Sequence, residues 1–490
     1  MLSWLSDTRL EKWMQVLWGL VLLTMPVTSF RWLPDVIGAT EFRPLAFYPL
    51  ALLVPVLILY LFKTRSFRFP IPAAPLVGFL LIAIISTVIG GLYAPLDLRG
   101  QTYWRWALRA WLSLGVGMGF FWVSVLLSRS EEFLQRTLPW LYAGLAVTVV
   151  WGILQAVAQN TALISVGDLN KVQLAVSIRG IVRRRVSGFA FEPSWLADQI
   201  TILYFPWLFA ALMTRFRVTK YKWLEPVLAL SALVLLLLTY SRSGVIGLLV
   251  SVGVALLTVG RGLIARVWNW FRAPFRSSED AGRWKQVVIL LLVLLLLVAA
   301  LWWMNRFDYF SSLWEADFSK GVIEYVRAIA AAPRLAYFVA GIDIFNLHPW
   351  LGVGLGGSNF YLFDHLPTWA FSNPYEIAIQ FSPESNLIPN VRSLMIRLLA
   401  ETGIVGFWMY LAFLISILGS IRKMYLTRQN ALVYISVAGI AAWSAVCLRQ
   451  FTLSSLTAPV IWTSLGMIVG YAHHTLEVNP KTGASGEQFA

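Results

Sequence analysis

The sequence predicts an all-α protein that crosses a membrane about twelve times, at roughly 20 residues per crossing. Of its 490 residues, 58% are hydrophobic and 13% charged, and mean hydropathy is +0.70, values that exclude a water-soluble globular chain. Apolar runs long enough to traverse a hydrocarbon core recur along its length. Basic clusters flank those runs on one side, as the positive-inside rule requires. The single cysteine, Cys447, lies in an apolar run and excludes both a disulfide framework and a cysteine metal cluster. Four histidines, two of them His473 and His474 in the last tail, argue against a histidine-built metal site. No metal or other cofactor is therefore expected. For the net charge of +15, position matters more than the total, and nucleic acid is not expected as a partner.

The first apolar run, 13–30, follows Asp7, Arg9, Glu11 and Lys12 without a small-residue cleavage site, which predicts a retained helix rather than a removed signal. Further spans are centred in 44–62, 72–92, 107–127, 138–158, 194–213, 224–240, 243–259, 286–303, 402–420, 431–449 and 455–472. Lys63, Arg65 and Arg68, then Arg129 and Arg136, then Arg215 to Lys222, the basic stretch 261–285, and Arg422, Lys423 and Arg428 share one side. That side is expected to be the cytoplasm, with both termini in it. The expected organisation is nine helices over 1–303, a large extracytoplasmic loop over 304–392, three helices over 393–472 and a cytoplasmic tail at 473–490. Membrane lipids are its surroundings.

The opposite face is not poor in cations, but they are almost all arginine. Arg31, Arg43, Arg99, Arg105, Arg109, Arg179, Arg183, Arg184, Arg185, Arg242, Arg306, Arg327, Arg334, Arg392, Arg397 and Arg449 fall there, with only Lys171 and Lys320 beside them. A guanidinium grips phosphate oxygens bidentately and keeps its proton when partly buried. The bias predicts a site for a phosphate-bearing substrate. Snorkelling to lipid headgroups explains Arg31, Arg43 and Arg99 equally well.

Two stretches on that face carry structure. The first, 159–192, runs into RRRVSGFAFEPSWLADQ, where Pro193 opens a helix and Glu192 stands at its start. The second, 305–390, contains RLAYFVAGIDIFNLHPWLGVGLGG, in which Leu335, Phe338, Val339, Ile342 and Phe345 recur at helical spacing and should face something apolar. Pro333 suits a first helical turn and sets Arg334 at the positive end, where an anion is favoured. His348-Pro349 should stop the helix, and the glycines that follow allow tight turning or close approach. Trp350, Phe360, Tyr361, Trp369 and Tyr375 offer either flat faces for sugar rings or packing anchors. The stretch is expected to lie on the bundle as a lid.

Four separated segments together resemble the O-antigen ligase and O-antigen or exopolysaccharide polymerase superfamily. They are Arg185, Gly188, Glu192-Pro193-Ser194 and Ala197; the turn Ser241-Arg242-Ser243-Gly244; HPWLGVGLGGSNF with Arg334 one helix upstream; and VRSLMIRLLAETGIVG. The resemblance covers about residues 183 to 420. It implies a class C glycosyltransferase-like membrane fold in the bacterial inner membrane, acting on its periplasmic or extracellular face. The donor would be an undecaprenyl-pyrophosphate-linked oligosaccharide and the acceptor a sugar hydroxyl, with no nucleotide sugar or metal. A flippase and a chain-length regulator are the implied protein partners. By the same resemblance Arg185, with Arg184 beside it, and Arg334 hold the pyrophosphate.

Ligases of the family carry histidine-asparagine where this chain reads Arg392-Ser393. The departure favours polymerase over ligase and adds Arg392 to the expected pyrophosphate contacts. With that histidine absent, Glu192 is the expected base for the acceptor hydroxyl, alongside Arg185 and Arg334 as catalytic groups, and Asp198 is the fallback. Arg183, Arg242, Arg327 and His348 are secondary candidates. The competing readings are a ligase acting on lipid A core and an anion transporter; clean spans with arginines gathered at one face count against transport.

Overall fold

A computed structural model describes residues 7–34, 42–65, 67–95, 97–260, 265, 268–269, 272, 280–306, 308–372, 375–382, 385 and 388–478. Much of the basic stretch 261–285 and the tail from 479 onward lie outside the described residues. In chain order the helices are α1 (Asp7–Thr24), α2 (Phe47–Thr64), α3 (Ala74–Tyr93), α4 (Tyr103–Leu127), α5 (Glu131–Asn160), α6 (Val166–Val176), α7 (Pro193–Asp198), α8 (Phe205–Thr214), α9 (Leu224–Leu238) and α10 (Arg242–Thr258). They continue with α11 (Asp280–Asn305), α12 (Asp308–Glu315), α13 (Val322–Ala328), α14 (Ala332–Leu347), α15 (Tyr375–Phe381), α16 (Leu394–Leu426), α17 (Asn430–Arg449) and α18 (Pro459–His473). Among the described residues β-structure is limited to isolated bridges.

The protein is an all-helical, polytopic membrane protein. Seven helical stretches among the described residues are long and apolar enough to cross a bilayer: 47–64, 71–93, 103–127, 131–160, 193–214, 394–426 and 430–449. Helices also occupy the other expected positions, but α9 and α10 are shorter than that criterion. The 15-residue α18 is buried at every position from 459 to 472, which makes it an inner helix. The first run ends early: α1 stops at Thr24, ahead of Pro26, and the chain then runs extended. There Ser29 bridges Arg43 and Phe30 bridges Ser177, while the Phe191 amide donates to Thr28 Oγ1 at 2.9 Å. This platform supports the segment leading to α7.

The main core joins α1–α5, α7–α10 and α16–α18. A smaller core lies under the 304–392 stretch, where Ala336, Tyr337, Ala340 and Ile344 of α14 meet Val391, Ile396 and Ala400. The buried face of α14 is therefore rotated from the expected one. Leu335, Phe338, Val339, Ile342 and Phe345 are only half-buried. The two helices come closest at Gly341, where a β-carbon would stand 2.5 Å from Ile396 Cγ2, and Ala336, Tyr337, Ala340 and Ile344 around it form the buried face.

α16 is a broken helix. Gly403, at φ 61° and ψ −170°, leaves the helical region in mid-course, which frees carbonyls before it and amides after it. The glycine-rich turn after α14 takes them up. Val353 N donates to Ala400 O (3.0 Å), Gly354 N to Glu401 O (2.9 Å), and Ile404 N to Pro349 O (2.8 Å). At Gly354 (φ +86°) a β-carbon would stand 1.8 Å from Tyr103 Oη. These glycines approach the protein's own helices, and the turn mends a break that hydrocarbon would otherwise leave unsatisfied.

Candidate active site

The site is built from the loop before α7 upward. Gln155 of α5 brackets that loop, its Oε1 accepting from Ser187 N (3.2 Å) and Gly188 N (3.0 Å), with its Nε2 donating to Gly188 O (3.0 Å). Arg185 is thereby laid along the end of α9, where its Nε donates to Thr239 O at 2.9 Å. Arg183 and Arg184 are exposed beside it, Arg184 at a left-handed φ of 61°. As expected, Pro193 opens α7 with Glu192 at the N-cap, but the carboxylate caps no backbone amide. It accepts instead from Arg179 Nη1 (3.0 Å) and the Ser194 hydroxyl (3.2 Å). Both partners of the Arg179 pair are partly exposed, at 40% and 44%, so the pair orients more than it stabilises.

The SRSG turn closes onto the same place. Ser241 caps α10 by accepting from Gly244 N (3.2 Å), and a β-carbon on Gly244 would stand 2.5 Å from the Ala197 β-carbon of α7. Arg242 spans outward, with Nη1 donating to Ile329 O and Nη2 to Ser312 Oγ, both at 2.8 Å. This secondary candidate therefore pins the approach to α14 onto the bundle. Five residues after Ile329 comes Arg334, exposed in the first turn of α14 behind Pro333.

Asp198, the last residue of α7, stands where the α-helix gives way to a π-helical stretch, 199–204. It is 4% exposed, and its Oδ1 lies 2.5 Å from Arg449 Nε at the end of α17. Arg334 attracts the same carboxylate, and Glu192 repels it. Asp198 also borders a cavity of about 20 Å³ with Thr28, Trp195, Gln199 and Leu453, room for about one water.

The fourth wall is the start of α16. Ser393 caps it by accepting from Ile396 N (3.4 Å), and Gln450 O accepts from Leu394 N (2.8 Å), so this helix end is closed by protein. The Arg392 guanidinium lies 5.6 Å from the centre of the Tyr337 ring, one helical turn from Arg334. Arg397 Nε donates to Glu401 Oε1 (3.0 Å) and its Nη1 to Ser454 O (2.9 Å). Ser358 donates to the same Glu401 oxygen at 2.7 Å.

Glu192 and Asp198 thus flank α7, with Arg334 acting on the Asp198 carboxylate, while Arg185 lies against the end of α9 and Arg392 against Tyr337 of α14. Two secondary candidates lie elsewhere. His348 caps the far end of α14, about 20 Å from Arg334 by helical rise, against the Tyr361 ring. Arg327 is engaged within the lid by Glu324 (2.5 Å) and Trp369 O (3.1 Å). Arg449 and Arg179 entered the sequence reading only as members of the arginine-biased face. Their arginine identity at a helix end and beside the first motif was the available signal, and their carboxylate partners were not visible.

Residues 227–411 match the family model described as O-antigen ligase. No curated protein matches the chain. The matched stretch takes in the SRSG turn, the lid with α14 and its glycine-rich turn, and α16 through the break at Gly403. The first motif, at 185–198, precedes it. The segments that resembled the family thus include three within the matched region, in the order recognised from the sequence, and over residues 227–411 the chain is similar to the O-antigen ligase family.

Proposed function

We propose that the protein is a polysaccharide polymerase, transferring a glycan from an undecaprenyl-pyrophosphate donor to a sugar hydroxyl of another lipid-linked repeat unit. It works in the bacterial inner membrane through twelve spans of a class C glycosyltransferase-like fold, with cytoplasmic termini and the 304–392 loop outside. What supports this reading is a chain of arginine contacts: Arg185 donates to Thr239 O beside the SRSG turn, Arg242 ties that turn to Ile329 just ahead of Arg334, and Arg334 attracts Asp198 at the end of α7, within and beside a stretch that matches the O-antigen ligase family model. The acceptor oxygen bonds to the anomeric carbon as the bond to the diphosphate oxygen breaks. Glu192 takes the hydroxyl proton, and the charge arriving on the diphosphate is met by Arg185, Arg334 and Arg392. Each such contact is a donor aimed at the departing charge and stabilises it as it develops. A flippase supplies the substrate, and a chain-length regulator acts on the product.

The test is polymer formation by Arg185→Ala and Arg334→Ala variants shown to be folded by size-exclusion profile. A loss on the order of 10²-fold or more is expected for each, as for removal of one charge-stabilising donor. Full-length polymer from either folded variant would falsify the assignment. One observation favours ligase: the matching family model is described as an O-antigen ligase. Arg392-Ser393 in place of histidine-asparagine weighs against it, and transfer of glycan to lipid A core by the purified protein would decide for it.

A further inference from the structure

We propose that Arg449 is a further diphosphate-binding group of this site and that Asp198 is its resident counter-ion, which yields Arg449 to the incoming anion. The inference rests on the diphosphate reading above. Arg449 and Asp198 come from helices far apart in sequence, and their side chains are only 7% and 6% exposed. A buried ion pair adds little stability over a well-packed apolar pair, so folding alone does not account for it. The pair is also not isolated, because Asp198 feels both Arg334 and Glu192. It stands at an α-to-π transition, a distortion that recurs at functional positions in helices.

Arg449 has support that does not depend on Asp198. It ends α17, where the helix dipole favours a cation, and its Nη1 donates to Thr452 Oγ1 at 2.6 Å. The connector it opens, 450–458, also forms the wall beside Arg392: Ser454 is held by Arg397 and contacts Asn390 Oδ1 at 3.0 Å. With Arg179 occupied by Glu192 and Arg449 by Asp198, the cations are held without mutual repulsion until an anion arrives. The diphosphate then takes Arg449 from Asp198, and the uncovered carboxylate repels the product. Asp198 thereby limits how tightly the leaving group is retained.

The experiment uses the full chain in detergent with farnesyl diphosphate as probe, read by microscale thermophoresis beside a thermal melt. Arg449→Gln should weaken binding about tenfold or more, the effect of losing a hydrogen bond to a charged group. Asp198→Asn should do the opposite and tighten it, about fivefold for a modest coupling. Arg449→Lys should fall between wild type and Arg449→Gln, and the double variant should bind like Arg449→Gln, because the gain acts through Arg449. A merely structural pair would weaken binding from both sides, and that result overturns the proposal, as does a gain that persists in the double variant. If Arg449→Gln does not fold, Asp198→Asn decides alone: tighter binding supports the proposal, and equal or weaker binding overturns it. No binding by wild type overturns the diphosphate reading and this inference together, whereas binding without the opposite signs overturns the inference alone.

Discussion

Replacing Gly403 by alanine should unfold the join between the lid and α16. At φ 61° and ψ −170° the residue occupies a region essentially reserved for glycine, which costs another residue about 1–3 kcal/mol. Its β-carbon would also stand 2.3 Å from the carbonyl carbon and oxygen of Trp350. That neighbour is backbone and cannot swing aside. It is held by Ile404 N to Pro349 O (2.8 Å) and by Val353 N to Ala400 O (3.0 Å). Displacing it breaks one or two such bonds, at about 1 kcal/mol each and more where no water replaces them. The combined loss is about 3–5 kcal/mol. Thermal unfolding of the purified protein in detergent would read it, against Gly419→Ala in the same helix, where a β-carbon meets nothing within 4 Å. The control should be neutral or stabilised by roughly 0.5–1 kcal/mol. A Gly403→Ala protein that melts with wild type would refute the account of the broken helix and of the turn that mends it.

Glu401→Gln should destabilise by about 3–5 kcal/mol in the same melt, since it strips the buried Arg397 of its countercharge, while Arg397→Met with Glu401→Leu should recover most of the loss. Arg242→Lys should expose the lid to limited proteolysis several-fold faster, because an ammonium cannot span Ile329 O and Ser312 Oγ as the guanidinium fork does; unchanged cleavage would contradict that bridging role. Burial, with Arg129 nearby, holds the His474 imidazole below its usual value. The unfolded chain therefore binds the proton first, and the stability this group contributes is present above about pH 6.5 and lost as pH falls through the lower folded value. His474→Gln should flatten the acid side of the stability profile measured by melts between about pH 5 and 7.

Helix positions were legible because a bilayer offers no partner for backbone groups, so each long apolar run has to satisfy its own hydrogen bonds as a helix. The helix boundaries at Pro193, Pro333 and His348-Pro349 were equally plain, since proline and its neighbours leave the backbone few choices. The family was recognisable from short segments whose order survives in one dimension. What tertiary structure alone decided is which groups face one another. α14 buries the face of Ala336, Tyr337, Ala340 and Ile344 rather than the one its spacing suggested, because the face that meets α16 is set by the packing of both helices. Gly352, Gly354 and Gly403 turned out to serve one another across a helix break. Asp198 found Arg449, and Gln450 closed the start of α16, through pairings between distant parts of the chain that no local pattern encodes. Local propensity and hydropathy act over a few residues, whereas charge pairing and close approach depend on the whole chain having been brought together.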